Sequence, residues 1–271
     1  MKHRLLGAAA FATMVSMGAT TVAYAADPQI WISDSAGDIG LVDVNTGAVS
    51  KLNNTGHVLT DIGFIGTQLY GTDFTHLYSV STATGAATLV GTLPGGGGGM
   101  NALVGSGASL LGASNADNNL YSINPTTAAT TVLTTGLPGV SAGDLAFAGG
   151  TLYASETDPA NGNDMLVNVT TKTKIGDFTA GGNPLGAVFG LAYTDGTMYA
   201  VDGTEIYSVN LANGALSALS NYGGQGLADA FGAAVVNESN APGPTPGAGF
   251  ASLAFLVLAG AMTRARSFLA R

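Results

Sequence analysis

The sequence has no cysteine and little charge, and these two shortages exclude several kinds of chemistry. Its 271 residues include no Cys, three His and one Trp, and only 9% are charged. Without cysteine the chain has no disulfide, no thiolate metal site and no thiol nucleophile. The sequence also contains neither a Gly-x-Ser-x-Gly elbow nor a Gly-Lys-Ser/Thr phosphate loop, so the usual signatures of serine hydrolases and P-loop enzymes are missing.

Basic residues are almost absent from the middle of the chain. The full sequence has 8 Lys and Arg against 17 Asp and Glu. Five of these cations lie near the two ends, whereas all the acids fall within residues 27–238. That central part holds three lysines and 17 acids, a net charge of −14. Such a surface disfavours nucleic acid and anionic lipid as partners.

Both ends of the chain carry the pattern of a processing signal. Lys2 and Arg4 precede an apolar run and the small-residue site at residues 23–25, which predicts a signal peptide over residues 1–26. Residues 240–246 are a Pro/Gly linker, and residues 247–271 are predicted to form an apolar helix that ends in an Arg cluster. The body between these signals spans residues 27–239.

The body is built from a repeated unit. The unit is clearest at residues 69–91, LYGTDFTHLYSVSTATGAATLVG, which is typical of three short strands separated by turns. It occurs five times in all, and equivalent marker residues lie 39, 41, 42 and 46 positions apart: Trp31, Tyr70, Leu111, Tyr153 and Tyr199. Periods of this length with several short strands indicate propeller blades. The run of five glycines at 95–99 is expected to be a flexible connection between two blades.

A small apolar strand precedes every unit except the first. An unpaired candidate for the missing strand lies at residues 231–236, where Phe231-Gly232 matches Phe189-Gly190. If this last strand completes the first blade, the ring closes and leaves no exposed sheet edge at that point. The sequence therefore predicts an all-β fold, a five-bladed β-propeller closed by its last strand, with a signal peptide and a C-terminal apolar helix outside it.

The tail resembles a known family of sorting signals. Pro242, Pro244 and Pro246, the apolar helix, and Arg264 and Arg266 are together similar to a PEP-CTERM signal, although Gly or Thr replaces the Glu of the family's Pro-Glu-Pro core. The resemblance implies recognition by an exosortase and a transient inner-membrane anchor through the C-terminal helix. It also implies export by the Sec route to the cell envelope or the medium, in a Gram-negative bacterium that makes extracellular polysaccharide.

Acids and amides at repeated positions are the candidate ligand groups. One ends the second strand of every unit, where capping of a turn is the expected role: Asp34, Asp73, Asn115, Glu156 and Asp202. Asp61 and Asp144 begin two innermost strands, with Asn101 as a weaker neighbour, and the propeller topology predicts them near the mouth of the central channel. These three are the candidate ligand residues. No catalytic residue or cofactor is assigned, and Ca²⁺ is the ion that such oxygen groups would suit.

The sequence leaves three functions open. The leading hypothesis is an exported, exosortase-sorted, non-enzymatic propeller that binds polysaccharide or a protein in the extracellular matrix or cell envelope. The second is a propeller enzyme, a lactonase or a glycan lyase or hydrolase, that uses Asp61 and Asp144 with a divalent cation. The third is a structural component of a biofilm or surface layer. Propellers serve both binding and catalysis, so the fold cannot decide between them.

Overall fold

Each repeat of the sequence forms a four-stranded antiparallel sheet in a computed structural model, which describes residues 28–236. The sheets are five blades around one axis, and the predicted propeller is confirmed. The blades take their strands in chain order, except that the last strand of the chain joins blade one. Blade one contains β1 (Gln29–Asp34), β2 (Ile39–Asp43) and β3 (Val49–Lys51). Blade two contains β4 (Asp61–Ile65), β5 (Gln68–Thr72), β6 (His76–Val80) and β7 (Ala87–Thr92). Blade three contains β8 (Met100–Ser106), β9 (Ser109–Ser114), β10 (Leu120–Ile123) and β11 (Thr130–Thr134).

The remaining strands complete the ring and add one unpredicted feature. Blade four contains β12 (Val140–Ala148), β13 (Thr151–Thr157), β14 (Asp164–Asn168) and β15 (Thr173–Asp177). Two short strands follow, β16 (Thr179–Ala180) and β17 (Asn183–Pro184). Blade five contains β18 (Val188–Thr194), β19 (Thr197–Asp202), β20 (Glu205–Val209) and β21 (Ala215–Asn221), and β22 (Ala230–Ala234) is the last strand. The parallel pairing of β16 with β21 extends blade five to six strands and covers its outer edge.

The last strand closes the ring as the sequence predicts. β22 pairs antiparallel with β1, with Ile32 opposite Ala233 and Ser33 opposite Gly232. Blade one is therefore assembled from both ends of the body, in the order β22, β1, β2, β3. The predicted signal peptide (1–26), linker (240–246) and sorting helix (247–271) lie outside the described residues. Within residues 28–236, no helix is long and apolar enough to cross a membrane.

The hydrophobic core lies between neighbouring blades. The described residues contain five apolar clusters, one at each blade–blade contact. In β1, for example, Ile30 and Ile32 pack toward Val201 of blade five, whereas Trp31 points the other way and lies 6.1 Å from the ring of Phe64 in blade two. Alternate residues thus serve opposite faces of one strand. Each fully buried Ile or Phe stabilises the contact by roughly 1.5–3 kcal/mol.

Tight turns join the third and fourth strands at equivalent places. Their last residue has positive φ in every blade, at 71° for Gly47 and 82° for Gly85. Glycine tolerates this conformation, which explains the recurrent Thr-Gly pairs. The glycine run at 95–99, expected to be a flexible connection, contains a short 3₁₀-type turn at Gly96–Gly98, in which all three glycines have positive φ. The Ser114 hydroxyl donates a 2.5 Å bond to the Gly96 carbonyl and holds this turn against blade three.

Candidate functional site

The five innermost strands place equivalent residues around the propeller axis. Their register with the second strand of each blade fixes the equivalence. One equivalent position we call the acid ring; it consists of Asp61, Ala102, Asp144, Gly190 and Gly232. The position just before it we call the floor ring; it consists of Thr60, Asn101, Gly143, Phe189 and Phe231. The axial site is built from these two layers.

Asp61 of blade two and Asp144 of blade four meet across the axis. Their carboxyl groups are hydrogen-bonded to each other, and both side chains are fully buried. Asp61 also accepts N–H bonds from Ile62 at 2.7 Å and from Leu103 of blade three at 2.5 Å. The two carboxyl groups are therefore close enough for catalysis by a pair of carboxylates. The carboxyl group of Asp61, however, already accepts hydrogen bonds from backbone N–H groups.

Asp144 connects the other blades to the same pair. It accepts N–H bonds from Leu145 at 2.6 Å, from Leu191 of blade five at 2.5 Å and from Ala233 of blade one at 3.2 Å. The two carboxyl groups together thus bind one backbone N–H from each of the five innermost strands. The inner edge of such a strand has no further strand to pair with, and buried N–H groups left alone destabilise a fold. The pair satisfies all five.

The two acids share a proton. Burial raises the pKa of Asp61 well above its ordinary value, and the neighbouring charge of Asp144 raises it further. Burial also raises the pKa of Asp144 well above its ordinary value, although its backbone donors and the hydrogen bond with Asp61 act in the opposite direction. The hydrogen bond between the two carboxyl groups requires a proton on at least one of them, and the raised pKa of both favours that state.

Small residues elsewhere in the acid ring make room for the pair. A Cβ atom on Gly232 would lie 2.3 Å from the Asp61 Oδ1 atom and 2.6 Å from its Cα atom. A Cβ atom on Gly190 would lie 3.0 Å from that of Ala233. Two acids and three small residues thus fill the axis, which explains why only two blades carry an acid there.

A cavity of about 640 Å³ opens where the innermost strands begin. All five floor-ring residues line it, whereas neither Asp61 nor Asp144 does. The sequence analysis expected these acids at the mouth of the channel, but the structure places them one layer beneath the cavity floor. Asn101, the third candidate, does line the cavity; it belongs to the floor ring and not to the acid ring.

The cavity floor has an aromatic half and a polar half. Phe189 and Phe231 lie side by side on neighbouring blades, with ring centroids 6.1 Å apart and planes at 78°. Thr60, Asn101 and Gly143 complete the floor on the other side. An amphipathic floor of this kind suits a ligand with one apolar face and polar edges.

Buried oxygen atoms without hydrogen-bond partners lie beside the polar half of the floor. Asn101 Oδ1, Ser141 Oγ and Glu156 Oε1 belong to residues that are 6%, 4% and 1% exposed. Asn101 and Ser141 line the cavity, and the strand pairing places Glu156 directly opposite Ser141. The Asn101 amide donates to the Ser141 carbonyl at 3.3 Å, and Glu156 Oε2 accepts the Gly139 N–H at 2.7 Å. The three oxygen atoms themselves are almost inaccessible, so they lie just behind the surface of the cavity.

The charge at the cavity is entirely acidic. Asp164 lines it and accepts the Val188 N–H at 2.9 Å. Burial raises the pKa of Asp164 to about 6, with a smaller effect from Asp202, and burial raises the pKa of Glu156 to about 7. Among the described residues that line the cavity there is no Lys, Arg or His. Among the residues that the structure describes, none of those lining the cavity offers Asp164 a positive partner.

Phe74 lies at the rim of the cavity in a strained conformation. Its φ is 80°, which is unfavourable for any residue with a Cβ atom, and 39% of the residue is exposed. Its carbonyl accepts the Met100 N–H at 3.0 Å, which holds the loop against blade three. A bulky residue kept in such a conformation at a cavity is a candidate for function.

The repeated acids at the ends of the second strands have structural roles in two blades. Asp34 accepts N–H bonds from Ala36 and Asp38, and Asp73 accepts them from Thr75 and His76. These are the turn caps that the sequence predicts. The described residues contain no group of three or more His, Asp or Glu that could hold a metal ion.

Comparisons with known proteins are informative about the fold. No protein-family model matches the chain, and no curated protein sequence matches it significantly. A chain in the crystal structure of a nidogen–laminin complex is similar over 77% of this chain and 98% of its own length, at 10% identity and a TM-score of 0.51. At such identity the likeness shows the β-propeller fold alone.

Two weaker likenesses say nothing about activity. Glutaminyl cyclase from Myxococcus xanthus is similar over 61% of this chain and 70% of its own, at 14% identity and a TM-score of 0.46. The computationally designed protein Ika8 is similar over 72% of this chain, which spans 58% of Ika8, at 14% identity and a TM-score of 0.34.

Proposed function

We propose that the protein is an exported β-propeller that binds a polysaccharide of the extracellular matrix or cell envelope in its axial cavity. The observation that carries the proposal is the floor ring, with Phe189 and Phe231 on one side and Thr60 and Asn101 on the other. Sugar rings present an apolar face and polar hydroxyl edges, and this floor matches both. The aromatic half supplies a stacking surface, and the polar half supplies hydrogen-bonding groups.

Export and sorting remain part of the proposal. The leader at residues 1–26 and the exosortase-type tail at residues 240–271 support an address outside the inner membrane, where polysaccharide is available. The net charge of −14 over residues 27–238 disfavours anionic partners. A protein partner is the alternative occupant, and the binding experiment below distinguishes it.

The axial acid pair supports binding better than catalysis. Asp61 and Asp144 bind the backbone of all five blades, are fully buried and do not line the cavity. A ligand on the floor ring would be separated from them by one layer of side chains. We therefore assign the pair to closure of the propeller and give it no part in a reaction.

Binding of the purified full-length protein to immobilised polysaccharides tests the proposal. The panel contains a neutral glucan, a uronic-acid polymer and an amino-sugar polymer. We expect at least one to retain the protein, and Phe189→Ala and Phe231→Ala to weaken retention by about tenfold each, since an aromatic contact is worth roughly 0.5–1.5 kcal/mol beyond its buried area. Leu89→Ala is the matched control, because Leu89 is 57% exposed on the outer strand β7.

Two results would overturn the proposal. One is the absence of retention on every polymer of the panel. The other is retention that Phe189→Ala, Phe231→Ala and Leu89→Ala leave equally unchanged, which would place the binding surface elsewhere. Capture of an envelope protein that competes with no polysaccharide would favour the alternative occupant.

A further inference from the structure

We infer that the axial cavity binds the end of a saccharide chain. The terminal sugar lies against blade three, and the rest of the saccharide leaves over blades five and one. This inference rests on the proposed function and adds which part of a polysaccharide the site recognises. Two features of the cavity carry it: a floor that is closed along the propeller axis, and a side wall that is missing at one place.

The floor is closed, so a saccharide cannot pass through the propeller along its axis. One layer beneath the floor ring, Asp61 and Asp144 are hydrogen-bonded to each other and fully buried. The small residues of that layer leave no room beside the acids, because a Cβ atom on Gly232 would already lie 2.3 Å from the Asp61 Oδ1 atom. A saccharide that enters the cavity therefore has to stop at the floor ring.

Blades two, three and four form the side wall. Because neighbouring strands alternate in direction, the loop between the second and third strands of a blade lies at the same end of the propeller as the floor ring. In these three blades that loop lines the cavity, through Phe74, Asn115 and Gly162. Gly186, in the connection from blade four to blade five, continues the wall. All four residues are exposed, so they form a rim above the floor.

Blades five and one leave the wall open. Their equivalent loops, residues 203–204 and 35–38, do not line the cavity, and of the described residues these two blades contribute Phe189 and Phe231 of the floor alone. The loop of blade five has two residues, whereas that of blade four has six, residues 158–163. In a ring of five blades, the contact between blades five and one lies opposite blade three. A saccharide that enters at the opening therefore ends against blade three and cannot cross the cavity.

The two halves of the floor match the two parts of such a saccharide. Phe189 and Phe231 lie at the open side and offer a stacking surface to the sugars that follow the terminal one. Thr60 and Asn115 lie at the closed side. The Thr60 hydroxyl already donates to the Thr72 carbonyl at 3.1 Å, which leaves its oxygen as an acceptor. A terminal sugar has a hydroxyl donor where an internal sugar has a glycosidic oxygen, so the closed side suits the terminal sugar.

The dependence of binding on the length of the saccharide tests the inference. Each linear polymer of the panel is prepared as a short sample and as a sample about tenfold longer, and both compete with the immobilised parent polymer for the full-length protein. We expect the short sample of the retained polymer to compete about tenfold more strongly per gram, because it holds about ten times as many ends. A site for internal sugars would respond to the two samples equally per gram.

A variant that fills the cavity locates the site. A Cβ atom on Gly186 would have no other heavy atom within 4 Å, and the φ of Gly186 is not in the left-handed region, so Gly186→Trp is expected to fold, as thermal melting will check. We expect this variant to weaken binding of the short sample by at least about tenfold. Thr84→Trp is the matched control, because exposed Thr84 lies in the turn before β7, at the opposite end of the propeller.

The outcomes separate the inference from the proposed function. Equal competition per gram by the two samples, lost in Gly186→Trp, would overturn end binding and leave polysaccharide binding in the cavity intact. Stronger competition per gram by the longer sample would overturn end binding as well. A preference for the short sample that persists in Gly186→Trp, or that Thr84→Trp reduces as much, would contradict the cavity as the site of end binding. Retention on no polymer of the panel would overturn both proposals.

Discussion

The carboxyl group of Asp61 is hydrogen-bonded to that of Asp144 across the propeller axis, and between them they accept a backbone N–H from every innermost strand. A propeller with five blades brings five unpaired strand edges to one line. Two acids with four oxygen atoms are enough to satisfy them, provided that one acid is protonated. The axial cavity lies directly above this layer.

The two acids are predicted to differ in their tolerance of asparagine. Asp61→Asn is expected to reduce the free energy of unfolding by about 2 kcal/mol, because the amide oxygen can accept from Ile62 or from Leu103 but not from both, so one buried N–H loses its acceptor. Asp144→Asn is expected to cost about 3 kcal/mol or more, because Leu191 and Ala233 bond to the same oxygen atom and can lose their acceptor together. Urea unfolding at constant pH measures both values. Equal losses, or the reverse order, would contradict the larger share of backbone bonds assigned to Asp144.

The stability of the propeller is predicted to fall as the pH rises from about 5 to about 8. Asp61, Asp144, Asp164 and Glu156 all have a pKa raised by burial, to about 6 for Asp164 and about 7 for Glu156. The folded state therefore holds more protons than the unfolded state within this range. The stabilisation is complete below the ordinary pKa of these groups and is lost as the pH passes through the raised values.

Acids with a lowered pKa do not oppose this trend in the same range. Asp38, Asp73, Asp158 and Asp177 lose their stabilising effect only when the pH falls below their ordinary value of 3.8. Thermal melting across the range measures the slope. Glu156→Gln should flatten it and Asp195→Asn should leave it unchanged; a stability that rises with pH would contradict the raised pKa values.

Phe74 is predicted to contribute to ligand binding in the cavity and to lower the stability of the fold through its strained backbone. At its φ of 80°, Phe74→Gly should be about 1 kcal/mol more stable than Phe74→Ala, the reverse of the usual order, because only glycine avoids the Cβ clash. Both variants should weaken binding of the preferred oligosaccharide to a similar extent, since both remove the ring. Melting and calorimetry on the same two variants check this. Unchanged binding in both would remove Phe74 from the site.

Processing of both ends is predicted to be visible in the mass of the exported protein. Intact-mass measurement should give an N-terminus at Ala26 or Asp27 and a C-terminus that lacks Arg271. Replacement of Pro242, Pro244 and Pro246 by alanine should leave the tail in place if these prolines form the recognition motif. An exported protein that retains Arg271 would contradict sorting by an exosortase.

The architecture could be predicted because it is repeated. Five copies of one unit fix the strand order, and the match of Phe231-Gly232 with Phe189-Gly190 gives the closing strand. β16 and β17 could not be predicted in this way, because they occur once and are two residues each. Their position depends on Phe178, whose burial between blades four and five brings the chain to the outer edge of β21.

The candidate site could be predicted only in part. Asp61, Asp144 and Asn101 are all close to the axis, but the sequence does not show that the two acids bind backbone N–H groups and that Asn101 is one layer nearer to solvent. Extending the Phe189 and Phe231 alignment to the other blades would have found the floor ring, because Thr60, Asn101 and Gly143 occupy the same register. Glu156 was one of the repeated acids, for which a turn cap was expected, but it accepts the Gly139 N–H instead. Its unpartnered oxygen and that of Ser141 could not be predicted, since they follow from the packing of blades three and four.

A crystal structure of the protein with its preferred oligosaccharide tests the central claim most directly. The account predicts a sugar ring in the axial cavity, in van der Waals contact with Phe189 or Phe231, and a polar substituent within hydrogen-bond distance of Asn101 or Ser141. An oligosaccharide bound only on the outer strands, with the axial cavity filled by water, would contradict it.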